Sequence, residues 1–233
     1  MADWYFSRAT LNPSAAADPR FWRQLSDGYG LHQLVWTWFS RDPGQERNFL
    51  FRIEPAALEG KGPTIYTLSS RPPTDRDGRF DIAVKDYAPQ FAVGDCLEFE
   101  VRASPTRVNS RGPGGKAHGK RVDVVMDAKF KERDSCGEAR SEAELVQSTC
   151  SEWLVARQAR LGVEFVQPTI AASGYQQHRF GHGARQGSVQ FSTVDLRGQL
   201  RVVEPDAFLA GVHAGLGSEK AFGCGLWMLR RAS

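Results

Sequence analysis

CLEFEVR, residues 96–102, sets Leu97, Phe99 and Val101 on one side of an extended chain and Glu98, Glu100 and Arg102 on the other. A period of two with one apolar face is the pattern of a half-buried strand. Gly94-Asp95 turns the chain into it. Upstream, NFLFRIE (48–54) and TIYTLS (64–69) have the same β-branched and aromatic character and read as neighbours in one sheet. Before them, Leu31, Leu34, Val35 and Trp38 recur at helical spacing over 29–39, and Arg41-Asp42-Pro43-Gly44 stops that helix. A short helix follows Asp18-Pro19, and Trp4, Phe6, Ala9 and Leu11 mark an opening strand that ends at Asn12-Pro13.

Downstream the order recurs. KRVDVVM (120–126) reads as a strand and 127–140 as a polar linker. A helix over 141–161 ends at Gly162, placed as a C-cap. A strand over 163–171, a long hairpin tip over 173–187, and strands over 188–196 and 199–203 joined near Gly198 follow. Glu204-Pro205 starts a helix to about His213, and 225–229 is a closing apolar strand. This order predicts an α+β fold of two tandem ferredoxin-like (split βαβ) domains with antiparallel sheets, over 1–135 and 141–233. One larger α+β domain is the alternative.

Of 233 residues, 41% are hydrophobic and 11% aromatic, too many for a disordered chain. No apolar run is long enough to span a bilayer, and the first residues show no basic segment followed by an apolar one, so neither membrane nor leader is expected. Cys96, Cys136, Cys150 and Cys224 share no CxxC spacing, which predicts reduced thiols in a cytoplasmic protein. No histidine pair has metal-ligand spacing, and neither a GxSxG elbow nor a GxxxxGK[ST] loop is present, so no cofactor or metal is expected.

The net charge is only +3, yet it is unevenly spread. Arg102, Arg107, Arg111, Lys116, Lys120 and Arg121 fall within 101–122, where no acidic residue stands. With the glycines among them, they suit a mobile loop on a phosphate backbone; a solvated loop without a partner is the other reading. Arg157 and Arg160, one helical turn apart, and Arg179 and Arg185 on the hairpin tip form a second basic set. GLGSEKAFGCG (215–225) brings Gly215, Gly217, Gly223, Gly225 and Lys220 into one turn whose backbone amides could approach a phosphate. His32 stands three residues after Tyr29, on the same helical face. One of them could activate a ribose 2′-hydroxyl while the other protonates the leaving 5′-oxygen; a packed, structural histidine is the other reading.

LNP (11–13), YGLH (29–32), FRIEP (51–55), VRASPTR (101–107), GKRV (119–122) and GLGSEKAFGCGL (215–226) occur in order along the chain. This set resembles CasE, the repeat-specific endoribonuclease family of the type I-E CRISPR Cascade complex. The resemblance implies metal-independent cleavage of precursor RNA at the 3′ base of each repeat hairpin, by an enzyme that stays bound as a Cascade subunit and is a monomer outside it. It matches His32 to the family's catalytic histidine and Tyr29 to its partner tyrosine, and the basic residues and glycine-rich ending to RNA-binding elements. Gln33 stands where the family is usually basic, and the 104–119 loop is longer than usual. A catalytically inactive hairpin-binding subunit of the same fold is the alternative.

Overall fold

The computed structural model describes residues 4–25, 28–40, 47–55, 62–108, 121–133, 140–182 and 186–232. The chain divides into two compact units, residues 1–90 with 219–226, and residues 91–218 with 227–233. This differs from the boundary near 135–141 that the sequence suggests, and the reason lies in strand pairing.

In the first unit, β1 (Tyr5–Leu11) is followed by helices α1 (Pro13–Ala16), α2 (Pro19–Leu25) and α3 (Gly28–Thr37). Strands β2 (Phe49–Glu54), β3 (Thr64–Ser69) and β4 (Phe80–Asp86) complete it. The sheet order is β2-β3-β1-β4 with every neighbouring pair antiparallel. That is the split βαβ order, with the loop 70–79 standing where a second helix would run. Asn12 accepts a hydrogen bond from the Ala15 amide at 2.8 Å and so caps α1, just ahead of Pro13 at the first helical position. Leu34, Val35 and Trp38 of α3 are buried with Ala9, Phe49, Phe51, Ile65 and Phe80 in one apolar cluster. The helical period of the apolar residues therefore lays α3 on the sheet and aims the side chains between them elsewhere.

The second unit begins at β5 (Cys96–Ala103), the stretch on which the fold reading turns. β6 (Thr106–Val108) and β7 (Arg121–Asp123) form a short ribbon. Helices α4 (Val124–Arg133), α5 (Glu142–Val155) and α6 (Gln158–Leu161) lead to β8 (Val163–Phe165), and a 3-10 turn (Gln167–Thr169) to β9 (Ala171–His182). β10 (Gln186–Val202), α7 (Pro205–Ala214), a 3-10 turn (Lys220–Phe222) that belongs to the first unit, and β11 (Trp227–Arg231) follow. The sheet order is β11-β5-β10-β8, with β9 paired to β10. β5, β8, β10 and β11 thus repeat the order of the first unit, and β9 is an added hairpin strand. Leu97, Phe99 and Val101 are buried, as the alternation requires. Because β5 bonds to β10 and β11, it is the first strand of the second unit and cannot close the first.

Several local expectations change: the helix over 141–161 breaks between α5 and α6, the strand over 163–171 stops at Phe165 before the 3-10 turn, and the hairpin tip over 173–187 is strand β9 as far as His182. The apolar run 120–126 is only briefly a strand, because the Asp123 carboxylate accepts from the amides of Val125 and Met126 and starts α4 inside it. The expected polar linker is consequently mostly helix as far as Arg133. The strands expected on either side of Gly198 are one 17-residue strand. A Cβ at Gly198 would stand 3.1 Å from the Thr169 carbonyl oxygen and 3.2 Å from the Phe99 ring, so the glycine there marks close packing and not a turn. By contrast Gly162 ends α6 in the left-handed conformation at φ 65°, as expected, and α5 starts with a capping box of Ser141 and Glu144 that the sequence reading did not single out.

Candidate functional site

His32 projects from the middle of α3, three residues before buried Val35 and so at the edge of the packed face. It is half-buried. Its imidazole lies 6.0 Å from the Trp36 ring and 6.0 Å from the Phe222 ring, centroid to centroid. Trp36 is one turn along the same helix, whereas Phe222 is 190 residues away in the 3-10 turn, within the same unit. Both α3 and β2 pack against that turn. The imidazole also hydrogen-bonds the Ala221 backbone. Its pKa is held below the ordinary imidazole value, first by burial and then by the positive charge of Arg47, while the Ala221 bond acts in the opposite direction. At neutral pH the ring is therefore uncharged and able to accept a proton. Tyr29 lies one turn before His32 in the same helix; its side chain is outside the described residues.

The glycine-rich ending has a backbone that few residues other than glycine adopt. Gly215, Gly217, Gly223 and Gly225 all have positive φ, and Glu219, at φ 55°, is the one non-glycine to share that region among the described residues. Gly223, at φ 83°, lies so close to β2 that an added Cβ would stand 3.2 Å from the Phe51 ring. Gly223→Ala should therefore cost about 1–3 kcal/mol, the left-handed backbone and the overpacked ring adding together. Urea unfolding of the alanine variant measures this, and an unchanged midpoint would contradict the packing. The ending is divided between the two units: Gly215 and Gly217 belong to the second, Lys220, Gly223 and Gly225 to the first. Lys220 is half-buried at the head of the 3-10 turn.

The basic residues divide by environment. Arg102 donates to Asp195, opposite it in the β5–β10 register, through two bonds of 2.9 and 2.8 Å. Arg107 is exposed and ion-paired to Asp127. Arg157 stacks on the Trp153 ring at 3.8 Å and donates to the carbonyls of Trp153 and Thr106, the latter also accepting from the Trp153 indole. Burial and the neighbouring Arg160 charge push its pKa down to about 10. Arg157 thus pins α5 to β6, while Arg160, Arg121 and Arg179 are exposed. The fork geometry of an arginine serves packing at one position as readily as recognition at another, and the chain pattern does not distinguish the two. Arg111, Lys116, Lys120 and Arg185 lie outside the described residues.

Among the described cysteines, Cys96, Cys150 and Cys224 are free thiols, and burial raises the pKa of Cys150 to about 12. Among the described residues no group of three or more His, Cys, Asp or Glu side chains could hold a metal ion. No helix is long and apolar enough to cross a membrane. Sequence reasoning missed Arg47 and Glu219. Arg47 stands two residues before β2, at no helical spacing from His32, so only the tertiary fold puts its charge on the imidazole.

Comparison with known proteins follows the same lines. The family model for CRISPR associated protein matches residues 4–231. The CRISPR system Cascade subunit CasE of Escherichia coli is 29% identical over 210 residues, covering 87% of this chain and 92% of its own. The CRISPR-associated endoribonuclease Cse3 of Thermus thermophilus is 28% identical over 231 residues, covering 95% and 97%. A structure of the Thermus thermophilus Cse3, bound to an RNA representing a pre-cleavage complex, superposes with a TM-score of 0.69 at 25% identity, over 98% of this chain and 99% of that one.

Proposed function

The chain belongs to the CRISPR associated protein family, as a member of its type I-E CasE branch, and from that premise we propose that His32 cleaves CRISPR repeat RNA by proton transfer alone. It is an endoribonuclease that processes precursor RNA into guide RNA, and a subunit of Cascade. The finer chemistry is our reading. The uncharged His32 takes the proton of the 2′-hydroxyl, and the 2′-oxygen bonds to the adjacent phosphorus. The bond from phosphorus to the 5′-oxygen then breaks, and that oxygen leaves with a proton, which we assign to Tyr29. A 2′,3′-cyclic phosphate and a 5′-hydroxyl result. The observation that carries this is the half-buried imidazole held between Trp36, Phe222 and the Ala221 backbone, with its pKa below the ordinary value.

The exposed Arg107, Arg121, Arg160 and Arg179 are suited to phosphate contacts along the hairpin, and the sequence marks Arg111, Lys116, Lys120 and Arg185 for the same role. We place the reaction in the cytoplasm, at the 3′ base of the hairpin. The test uses a repeat hairpin RNA in EDTA, alongside the same RNA with a 2′-deoxynucleotide at the cut. Wild-type protein is expected to cut the first once, leaving a cyclic phosphate, and to leave the second whole. An intact first RNA would support a binding subunit without activity, and a cut second RNA would exclude the 2′-oxygen as nucleophile.

A further inference from the structure

We propose that Arg47 binds the scissile phosphate in the His32 site, and that Glu219 holds its guanidinium in place before RNA arrives. This deepens the endoribonuclease reading and rests on it. Three elements of the first unit meet here: α3 with His32, the lead-in to β2 with Arg47, and the 3-10 turn that Glu219 precedes. α3 and β2 both pack on that turn, and Gly223 lies against Phe51 of β2, which sets the register between the turn and the strand that Arg47 enters. Arg47 is half-buried and stands two residues before Phe49, whose ring lies 5.6 Å from that of Trp36, itself 6.0 Å from the His32 ring. The Glu219 carboxylate is near, and it acts on the Arg47 guanidinium. Glu219 reaches that position from a left-handed backbone at φ 55°, a conformation that most residues avoid and that is found disproportionately at functional sites. The Arg47 charge in turn acts on the His32 ring.

The chemistry needs such a group. When the 2′-oxygen adds to phosphorus, negative charge builds on the non-bridging oxygens; the proton that His32 has taken comes from the 2′-oxygen and the Tyr29 proton goes to the 5′-oxygen, so neither group is committed to the non-bridging pair. A guanidinium neutralises that charge, with parallel N–H donors that match two phosphate oxygens and with a charge that stays out of the proton transfers. The phosphate replaces the Glu219 carboxylate as the partner of a cation already desolvated and already placed. The charged groups on the packed elements are Arg47 before β2, Arg52 and Glu54 on β2, which pair with each other, and Glu219 and Lys220 at the head of the turn; α3 itself carries none.

Arg47→Met and Arg47→Lys test the proposal by single-turnover cleavage of the repeat hairpin and by affinity for the uncleavable 2′-deoxy RNA. Arg47→Met is expected to lower the cleavage rate about 10²- to 10³-fold, as for loss of one charge-stabilising donor, with affinity within about threefold. Its rate profile should also shift: without the nearby cation the His32 limb moves to higher pH. Arg47→Lys keeps a charge without the planar fork and is expected to cut about tenfold more slowly than wild type. A methionine variant that cuts within about threefold of wild type overturns the proposal, as does one whose rate and affinity fall by one factor, or whose limb stays put. If Arg47→Met does not fold, a wild-type rate in Arg47→Lys overturns it. Failure of the underlying endoribonuclease reading looks different, since wild type then leaves the RNA whole.

Discussion

His32→Ala is expected to cut a repeat hairpin about 10³-fold more slowly than wild type in a single turnover, within the 10²- to 10⁴-fold span of a positioned proton-transfer group. Affinity for the uncleavable RNA should stay near wild type, because His32 supplies no charge at neutral pH. Burial and the Arg47 cation lower its pKa, so the wild-type rate should hold as pH falls through 6.5 and decline only below it. The same shift has a consequence for stability. The unfolded chain takes a proton at the ordinary value of about 6.5, while the folded ring resists it, so stability falls as pH drops from there to the folded pKa. The alanine variant should lack that part of the pH dependence. Rapid-quench cleavage and urea unfolding across the pH range measure both. An alanine variant that cuts at the wild-type rate would return His32 to a structural role.

Phe208→Ala is expected to destabilise the second unit by about 3–5 kcal/mol, the range for a large aromatic side chain removed from a closed core. Phe208 is fully buried on α7, with Phe91 4.8 Å and Trp227 6.4 Å from its ring centroid. It ties the crossover helix before β11 to the segment that enters β5. Tryptophan fluorescence during urea unfolding reports on it through Trp227. A loss below about 1 kcal/mol would mean that the core closes over the gap with little cavity left.

The elements themselves were largely legible. Period-two alternation found β5, helical spacing found α3, and Gly162 marked the end of α6, because each of these signals is local. The readings that changed depended on contacts that side-chain period does not show, one of them local and two distant. Asp123 turned an apolar run from strand to helix with two hydrogen bonds to the next amides. Gly198 looked like a turn and is a close approach to Thr169 and Phe99. Arg157 looked like one more basic surface residue, yet it is stacked on Trp153 and bonded to the Thr106 carbonyl.

From its sequence alone this protein could be read as two split βαβ units with a histidine and a tyrosine on one helical turn, since side-chain period and spacing are properties of a local backbone. Where the first unit ends, and what surrounds His32, are decided by the tertiary structure. β5 is by itself an ordinary half-buried strand, and only its ladders to β10 and β11 assign it to the second unit. Phe222 and Ala221 reach His32 from the far end of the chain, and Arg47 reaches it from the approach to β2. Desolvation and Coulomb interaction act through space, so a pKa set by them is written in the fold rather than in the spacing of residues.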